Sequence, residues 1–148
     1  MPRPRRAPEP PIVTFRVRLP GRAVSRDIEV AANQTLVELG DFIPTAFGFT
    51  DPHLWSFFLS GKAWDRTSEY ARQGRAARIR IDELPVPGAR GTREFLFLFD
   101  YGDEWHFGVK RVGVSDAVTP GAAYPRVVAR VGEPPAQYPE PDDEDDED

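Results

Sequence analysis

The sequence has no cysteine among its 148 residues, so a disulfide framework, a thiolate metal site and a thiol nucleophile are all excluded. It also lacks any run of about 18 apolar residues, the length that a membrane-spanning helix needs. The arginine-containing N-terminus has no apolar stretch of the kind found in signal peptides. With 40% hydrophobic and 29% charged residues, the chain is expected to form one small globular domain, and a cytoplasmic location fits these absences.

Motifs with an established chemical role are absent as well. The chain has no G-x-S-x-G, Walker A, H-E-x-x-H, G-x-G-x-x-G or EF-hand pattern. Hypotheses of a hydrolase, a nucleotide-binding protein or a calcium-binding protein therefore have no motif behind them. We expect no cofactor, except that one hypothesis below requires a divalent metal ion.

The formal charge of −5 comes from one end of the chain. Residues 140–148 contain eight of the 24 acidic residues, and the formal charge without them is +3. Residues 1–11 contain five prolines and three arginines. Because neither segment has an apolar pattern to bury, we expect a disordered Pro/Arg-rich tail over 1–11, a single domain over 12–138 and a disordered acidic tail over 139–148.

The first half of the domain predicts a hairpin followed by a helix. Apolar and polar residues alternate over 12–19, which is typical of a strand with one buried face, and a second strand is predicted over about 24–30. Thr35 and Glu38 then form a capping-box pattern, and apolar residues recur at helical spacing over 36–47. We therefore predict one amphipathic helix there, with Pro44 inside it.

The second half predicts more strands. LWSFFLSG is expected to be a strand with apolar residues on both faces, and 78–81 a further short strand, while 65–78 is ambiguous. FLFLF over 95–99 predicts a central strand buried on both faces, which forms a hairpin with the alternating residues 105–110. A last strand is predicted over about 126–131.

This order of elements predicts an α+β fold. We expect a β-grasp-like sheet, mixed or antiparallel, with one main helix packed on it.

Both histidines of the chain lie beside carboxylates. His53 follows Asp51, and His106 follows three acidic residues, Asp100, Asp103 and Glu104. Such a cluster is able to hold a divalent metal ion or to act in acid–base catalysis, and the metal candidates are Asp100, Asp103, His106 and His53. The alternative is purely structural, because Asp and Gly at these positions also shape a tight turn. The spacing matches no established metal motif, so both explanations stay open.

Arginine outnumbers lysine by 17 to two, which raises the question of nucleic-acid binding. Six arginines alternate with apolar or small residues, so some of them share a face: Arg16, Arg18, Arg72, Arg75, Arg78 and Arg80. Without both terminal segments the formal charge of the chain is only +1, which argues against a strong contact with phosphates. Nucleic acid is thus a weakly supported partner.

Several motifs together resemble a known family. The segments TLVELGDFIPTAFGFTDPHLWSF, FLFDYGDEWHF, AAYPR and GEPPAQYP are similar to motifs of the plasmid pRiA4b open-reading-frame-3-like family, and the resemblance covers about residues 12–138. The family's helix motif falls on Leu36, Leu39, Phe47, Gly48 and Phe49. Its histidine motif falls on Asp51, His53, Leu54 and Phe57. Its signature falls on Asp100, Gly102, Asp103, Trp105 and His106.

The chain departs from the family pattern at two places. Tyr101 stands where phenylalanine is usual, and GEPPAQYP stands where many members have a cysteine-containing segment. The resemblance implies an α+β fold and, in some members, a link to mobile elements as passenger proteins of insertion elements. It implies no activity, and the sequence shows no recombinase nucleophile with its arginine cluster.

Two functional hypotheses follow. The first is a small cytoplasmic binding or interaction module, most consistent with a protein partner, without a catalytic residue and without a membrane contact. Its expected functional surface combines the turn around Asp51 and His53 with the hairpin tip formed by Asp100, Tyr101, Gly102, Asp103, Glu104, Trp105 and His106. The second is a metal-dependent hydrolase or nuclease that uses the four metal candidates.

Overall fold

A seven-stranded sheet organises residues 9–138, the part of the chain that the computed structural model describes. Its strands are β1 (Ile12–Arg18), β2 (Ser25–Ala31), β3 (Trp55–Phe58), β4 (Glu69–Ala71), β5 (Phe95–Phe99), β6 (Trp105–Ser115) and β7 (Arg126–Val131). The strands lie in the order β4-β3-β5-β6-β1-β2-β7, and each neighbouring pair is antiparallel. Residues 9–138 contain one α-helix, α1 (Leu36–Ala46), so the α+β class is confirmed, and the sheet is antiparallel.

The predicted hairpin β1–β2 supplies one side of the core. Phe15 lies opposite Ile28 in the register, and both side chains are fully buried on the face that α1 covers. On the other face, Arg16 forms a bidentate ion pair with Asp27. The alternation of apolar and polar residues is therefore confirmed as one buried face and one solvated face.

Helix α1 begins and ends close to the predicted residues. The Thr35 hydroxyl accepts a hydrogen bond from the Glu38 amide, as expected of an N-cap, and the Ile79 carbonyl accepts one from the Leu36 amide. Phe47 is the C-cap, and Gly48 follows with φ +77°, a conformation that glycine adopts without strain. The helix packs its buried residues Leu36, Leu39, Gly40, Ile43 and Pro44 on the sheet.

Strand β5 lies at the centre of the sheet's aromatic part and is buried along its whole length, as predicted. On the α1 face, the Phe97 ring packs against four other aromatic rings, those of Trp55, Phe57, Phe99 and Phe107. On the opposite face, Leu96 and Leu98 form a second, smaller cluster with Phe58. This double burial explains why both sets of alternating residues are apolar.

Several sequence-based expectations need correction. Residues 78–81 do not form a strand: only Arg80 makes an isolated bridge, to Thr35, between the 3₁₀ turns Arg75–Arg78 and Ile81–Glu83. The extended residues there complete the N-terminus of α1 rather than a sheet edge. The ambiguous stretch contains the short strand β4, and β6 continues well past the predicted residues. Trp64 is 44% exposed, and its ring packs against those of Phe58 and Tyr101.

Residues 132–138, which we call the C-terminal strap, follow β7. At its start, the buried side chain of Arg26 donates hydrogen bonds to carbonyls of three elements: Ala46 in α1, Val131 in β7 and Gly132 in the strap. The guanidinium also lies over the Phe47 ring, 5.5 Å from its centroid. Arg26 thus connects its own strand, β2, to α1, β7 and the strap through hydrogen bonds to their main-chain carbonyls.

The expected tails lie mostly outside the described residues, which exclude 1–8 and 139–148. Within residues 9–138, no helix is long and apolar enough to cross a membrane, since α1 has 11 residues.

Candidate functional site

Two of the sequence motifs meet at one place. We call residues 49–54 the DPH loop and residues 100–104 the hairpin tip. Trp55 pairs with Phe99, so the loop before β3 and the tip after β5 become neighbours. The Asp100 amide donates to the Leu54 carbonyl at 2.9 Å, and His53 Nε2 lies 3.4 Å from Asp100 Oδ2. The sheet register therefore brings His53 to Asp100.

Asp100 also shapes the hairpin tip. Its Oδ1 accepts hydrogen bonds from the amides of Gly102 and Asp103, at 3.1 and 3.3 Å. Both Asp100 and Glu104 have positive φ, +67° and +51°, which aspartate tolerates better than most residues. One oxygen of the buried Asp100 carboxylate thus binds the turn amides, and the other lies beside His53.

The C-terminal strap forms the third part of the site. Gln137 is 9% exposed, and its Oε1 accepts hydrogen bonds from the amides of Thr50 and Asp51. Its Nε2 donates to the Asp51 carbonyl at 3.0 Å. One glutamine side chain therefore satisfies three main-chain groups of the DPH loop and fixes its conformation.

Tyr138 lies beside Gln137 and contacts His53. The Tyr138 hydroxyl and His53 Nε2 are 2.5 Å apart, and the two rings meet edge to face. Burial raises the pKa of Tyr138, and the carboxylates of Asp51, Asp100 and Asp103 raise this pKa further. Three carboxylates therefore lie close enough to the Tyr138 hydroxyl to act on it electrostatically.

An open cleft of about 740 Å³ lies between α1 and the DPH loop. Its apolar lining comes from Pro44, Phe49, Pro52, Leu54, Trp55 and Phe99. Its polar lining comes from Asp41, Thr45, Thr50, Asp51, His53 and Arg72. The DPH loop therefore contributes residues to both kinds of surface.

The floor of the cleft depends on a close contact between α1 and β3. A Cβ atom at Gly40 would lie 2.3 Å from the Trp55 ring, so only glycine lets Trp55 pack against the helix there. Trp55 Nε1 then donates to Asp41 Oδ1 at 3.0 Å, and Arg72 binds both carboxylate oxygens of Asp41. Burial raises the pKa of Asp41, but the hydrogen bonds of Arg72 and Trp55 lower this pKa by more, so the carboxylate stays charged.

The structure separates the four metal candidates. His106 points to the sheet face opposite the cleft, where it lies beside Gly61 and Glu94, and its Nε2 is 3.3 Å from Glu104 Oε1. His53 lies on the cleft side with Asp100. Among residues 9–138, no three His, Asp or Glu side chains are arranged to hold a metal ion. His53 and His106 thus do not share one site.

Two more residues of the expected surface have positions that the sequence did not indicate. The Tyr101 ring lies on the face opposite the cleft, where its hydroxyl is 2.6 Å from Ser56 Oγ and donates to the Trp55 carbonyl. Trp105 is half-buried against Phe49, with ring centroids 4.8 Å apart, so it supports the DPH loop from below.

The arginines singled out for nucleic acid do not form one basic face. Arg16 and Arg18 extend from β1 to the outer face, whereas Arg72 lines the cleft on the α1 side. Four of the six arginines form ion pairs with carboxylates: Arg16 with Asp27, Arg18 with Glu94, Arg72 with Asp41 and Arg80 with Asp82. The charge of these four arginines is therefore largely neutralised within the protein.

Sequence reasoning missed the strap and the α1 side of the cleft. Gln137 and Tyr138 belong to a segment rich in proline, and 86 residues separate Gln137 from the Asp51 amide that it binds. Asp41 is one polar residue on an amphipathic helix. The one available signal was the family resemblance, which extends to about residue 138 and so includes Gln137 and Tyr138, but it does not give their contacts.

Comparison with known proteins gives relatives for both sequence and fold. A region of 87 residues, 59% of this chain, is 26% identical to the uncharacterized protein y4hQ of Sinorhizobium fredii (strain NBRC 101917 / NGR234), and it is 45% of that protein's length. The chain thus matches less than half of that relative.

The fold is similar to the crystal structure of MM3350 from Methanosarcina mazei Go1, a protein of unknown function. The TM-score is 0.69 at 18% identity, over 86% of this chain and 72% of that chain. At this identity the likeness concerns the fold alone.

The sequence model of the plasmid pRiA4b ORF-3-like protein family matches residues 12–139. This range includes the hairpin β1–β2, helix α1, the DPH loop, the hairpin tip and the strap. The resemblance seen in the motifs is confirmed, and the chain belongs to the plasmid pRiA4b ORF-3-like family.

Proposed function

We propose that this protein is a small interaction module that binds a segment of another protein in the cleft between α1 and the DPH loop. The observation that carries the proposal is the convergence of three distant segments, the DPH loop, the hairpin tip and the strap, beside one open cleft. Such a concave, partly apolar surface is a usual binding site in small domains.

The state of the polar side chains supports binding rather than catalysis. Arg72 is paired with Asp41, and His53 contacts both Asp100 and Tyr138 through the same ring nitrogen. Within residues 9–138, no serine or threonine hydroxyl forms a hydrogen bond with a histidine, as a nucleophile with its base would. Leu54, in contrast, presents an apolar side chain at the rim that is 52% exposed.

The metal-dependent alternative receives less support from the geometry, because its two histidines lie on opposite faces of the sheet. A cytoplasmic location and a link to mobile elements are part of the proposal and rest on composition and family resemblance. We also propose that the sheet is β-grasp-like, since the β1–β2 hairpin is followed directly by α1.

The test is a comparison of captured proteins between two surface variants. Leu54→Asp places a charge in the cleft, and Val128→Asp places the same charge on β7, where Val128 is 45% exposed. Proteins captured from cells that express the tagged chain are quantified by mass spectrometry. We expect a partner whose recovery falls by about fivefold or more with Leu54→Asp and stays unchanged with Val128→Asp. The fivefold fall corresponds to a loss of about 1 kcal/mol in binding free energy.

Equal recovery of every captured protein with wild type and Leu54→Asp would refute the proposal. Circular dichroism of both variants should match wild type, so that a loss of recovery reports the cleft and not the fold.

A further inference from the structure

The charge of the cleft is not balanced. Arg72 is the one arginine or lysine side chain in the described part of the chain that lines the cleft, and Asp41 binds it with two hydrogen bonds, of 2.9 and 3.1 Å. Asp51 also lines the cleft, but no arginine or lysine of residues 9–138 forms an ion pair with it. The cleft therefore presents a carboxylate without a compensating cation.

The charges beside the cleft have the same sign. Asp100 and Asp103 of the hairpin tip act with Asp51 on the Tyr138 hydroxyl, whose pKa they raise in addition to the effect of burial. His53 is the one basic side chain that touches this group within the described residues. A ligand that carries positive charge is thus favoured at this end of the cleft.

The same region is also apolar. Leu54 and Pro52 are exposed on either side of His53, and Phe49 lies behind them with its ring against Trp105. Polar groups of this loop are already satisfied by Gln137, so its main chain offers few free hydrogen-bond partners. A ligand at this end of the cleft can therefore make apolar contacts directly beside a carboxylate.

We infer that the cleft binds an extended segment of a partner protein that places an arginine or lysine side chain against Asp51 and a bulky apolar side chain against Leu54. The inference rests on the proposed function and adds the chemistry of the partner. Charge complementarity of this kind gives specificity because a neutral side chain gains less from the carboxylate than a cation does, and an acidic side chain is repelled.

The test uses synthetic peptides and the full chain. An array of octapeptides places arginine beside leucine at spacings of one to four residues, and matched peptides replace arginine by citrulline or glutamate. Fluorescence polarisation gives the Kd of each peptide. We expect the best arginine peptide to have a Kd at least about fivefold lower than that of its citrulline counterpart. A difference of this size is typical of a partly exposed ion pair.

Two carboxylate variants show whether the preference comes from the cleft. Asp51→Asn should abolish the preference for arginine, whereas Asp116→Asn, which neutralises an exposed carboxylate after β6, should preserve it. A preference for arginine that survives in Asp51→Asn would overturn the inference. So would a wild-type protein that binds the arginine, citrulline and glutamate peptides equally or binds none of them.

A third variant tests whether the cleft's occupant is the chain's own N-terminal segment. Arg3, Arg5 and Arg6 are replaced together by glutamine, which removes the positive charges of that segment. Unchanged peptide affinity supports a partner protein. A large gain in affinity would overturn the inference, because the segment would then compete for the cleft.

These outcomes are distinct from failure of the proposed function. Loss of a captured partner with Leu54→Asp, together with full recovery with Asp51→Asn, would keep the interaction module and reject only its preference for a basic segment.

Discussion

The α1 side of the sheet and the DPH loop are adjacent but are stabilised in different ways. On the sheet, Phe97 is fully buried and packs against four aromatic rings, without any polar contact of its side chain. In the DPH loop, Leu54 is 52% exposed, and one side chain, Gln137, holds the main chain through three hydrogen bonds. Burial of apolar area thus dominates in the first region, and a few polar contacts dominate in the second.

The difference has a consequence for local stability. Apolar burial contributes about 25 cal/mol per Å² and is shared among many neighbours, whereas each hydrogen bond contributes only about 0.5–1.5 kcal/mol. The DPH loop should therefore open at a lower free-energy cost than the sheet. A loop of this kind can adjust to a ligand while the sheet keeps its position.

The largest expected effect comes from the sheet. Phe97→Ala removes the ring that contacts four others and leaves a cavity in a fully buried position, so it should lower the free energy of unfolding by about 3–5 kcal/mol. Urea denaturation followed by tryptophan fluorescence measures this change. Leu54→Ala, in the cleft, should change stability by less than about 0.5 kcal/mol. Similar costs for the two variants would show that the proposed division between the regions is wrong.

The next effect concerns Arg26, where the two regions join. Arg26→Met keeps the length of the side chain but leaves the carbonyls of Ala46 and Val131 without this donor, so we expect a loss of about 2–4 kcal/mol. Arg130→Met is the control, because Arg130 is exposed on β7. Thermal denaturation of both variants measures the difference, and equal melting temperatures would contradict the role of Arg26.

Gln137→Ala should affect the loop more than the sheet. The amides of Thr50 and Asp51 lose their acceptor, so stability should fall by about 1–2 kcal/mol and their hydrogen exchange should become faster. Exchange of the β5 amides should follow only the change in global stability. Tyr138→Phe, which removes one hydroxyl, should have a smaller effect on the same two amides. Uniform acceleration over the whole chain would refute the local role of Gln137.

Asp41 should give a smaller effect that depends on pH. Its pKa in the folded protein lies below the usual value of about 3.9, so its contribution is complete above that pH and is lost as the pH falls through the folded pKa. Asp41→Asn should cost less than about 1 kcal/mol at neutral pH, because the pair with Arg72 is partly exposed. Urea denaturation of both proteins from pH 7 to 2.5 should show this difference becoming smaller as the pH falls, and a constant difference would exclude the charge as its cause.

The smallest effect is expected at His106. Its side chain is 42% exposed and contacts Glu104 on the face away from the cleft, so His106→Gln should change stability by less than about 0.5 kcal/mol. Addition of Zn²⁺ or Mn²⁺ should shift the melting temperature of wild type and variant equally. A rise in wild type that disappears in both His106→Gln and Asp103→Asn would instead establish a metal site at the hairpin tip.

Much of the fold could be predicted because its signals are local. The alternation over 95–99 and the capping residues Thr35 and Glu38 each report on their own element, and both elements formed as expected. Residues 78–81 were misassigned because an extended segment that completes a helix N-terminus has the same local pattern as a strand. The length of β6 was missed because its second half is exposed and carries no burial pattern.

The candidate site was predictable only in part because its contacts are long-range. Asp100 and His53 were both identified from neighbouring residues, but their contact depends on the β3–β5 register. His106 and Trp105 are neighbours in β6 and therefore lie on opposite faces of the sheet, which keeps His106 away from His53. No periodicity marks Gln137, since its role depends on where the strap crosses the DPH loop.

The Arg26 contacts connect residues that are far apart along the chain, since its acceptors in β7 and the strap lie 105 and 106 residues away. Two of the four carbonyls that accept hydrogen bonds from this guanidinium lie in β7 and the strap, so its hydrogen bonding is incomplete until these segments pack against β2. Folding of β2 is therefore coupled to the arrival of β7. This coupling favours all-or-none folding, because without β7 and the strap the Arg26 side chain lacks two of its carbonyl acceptors.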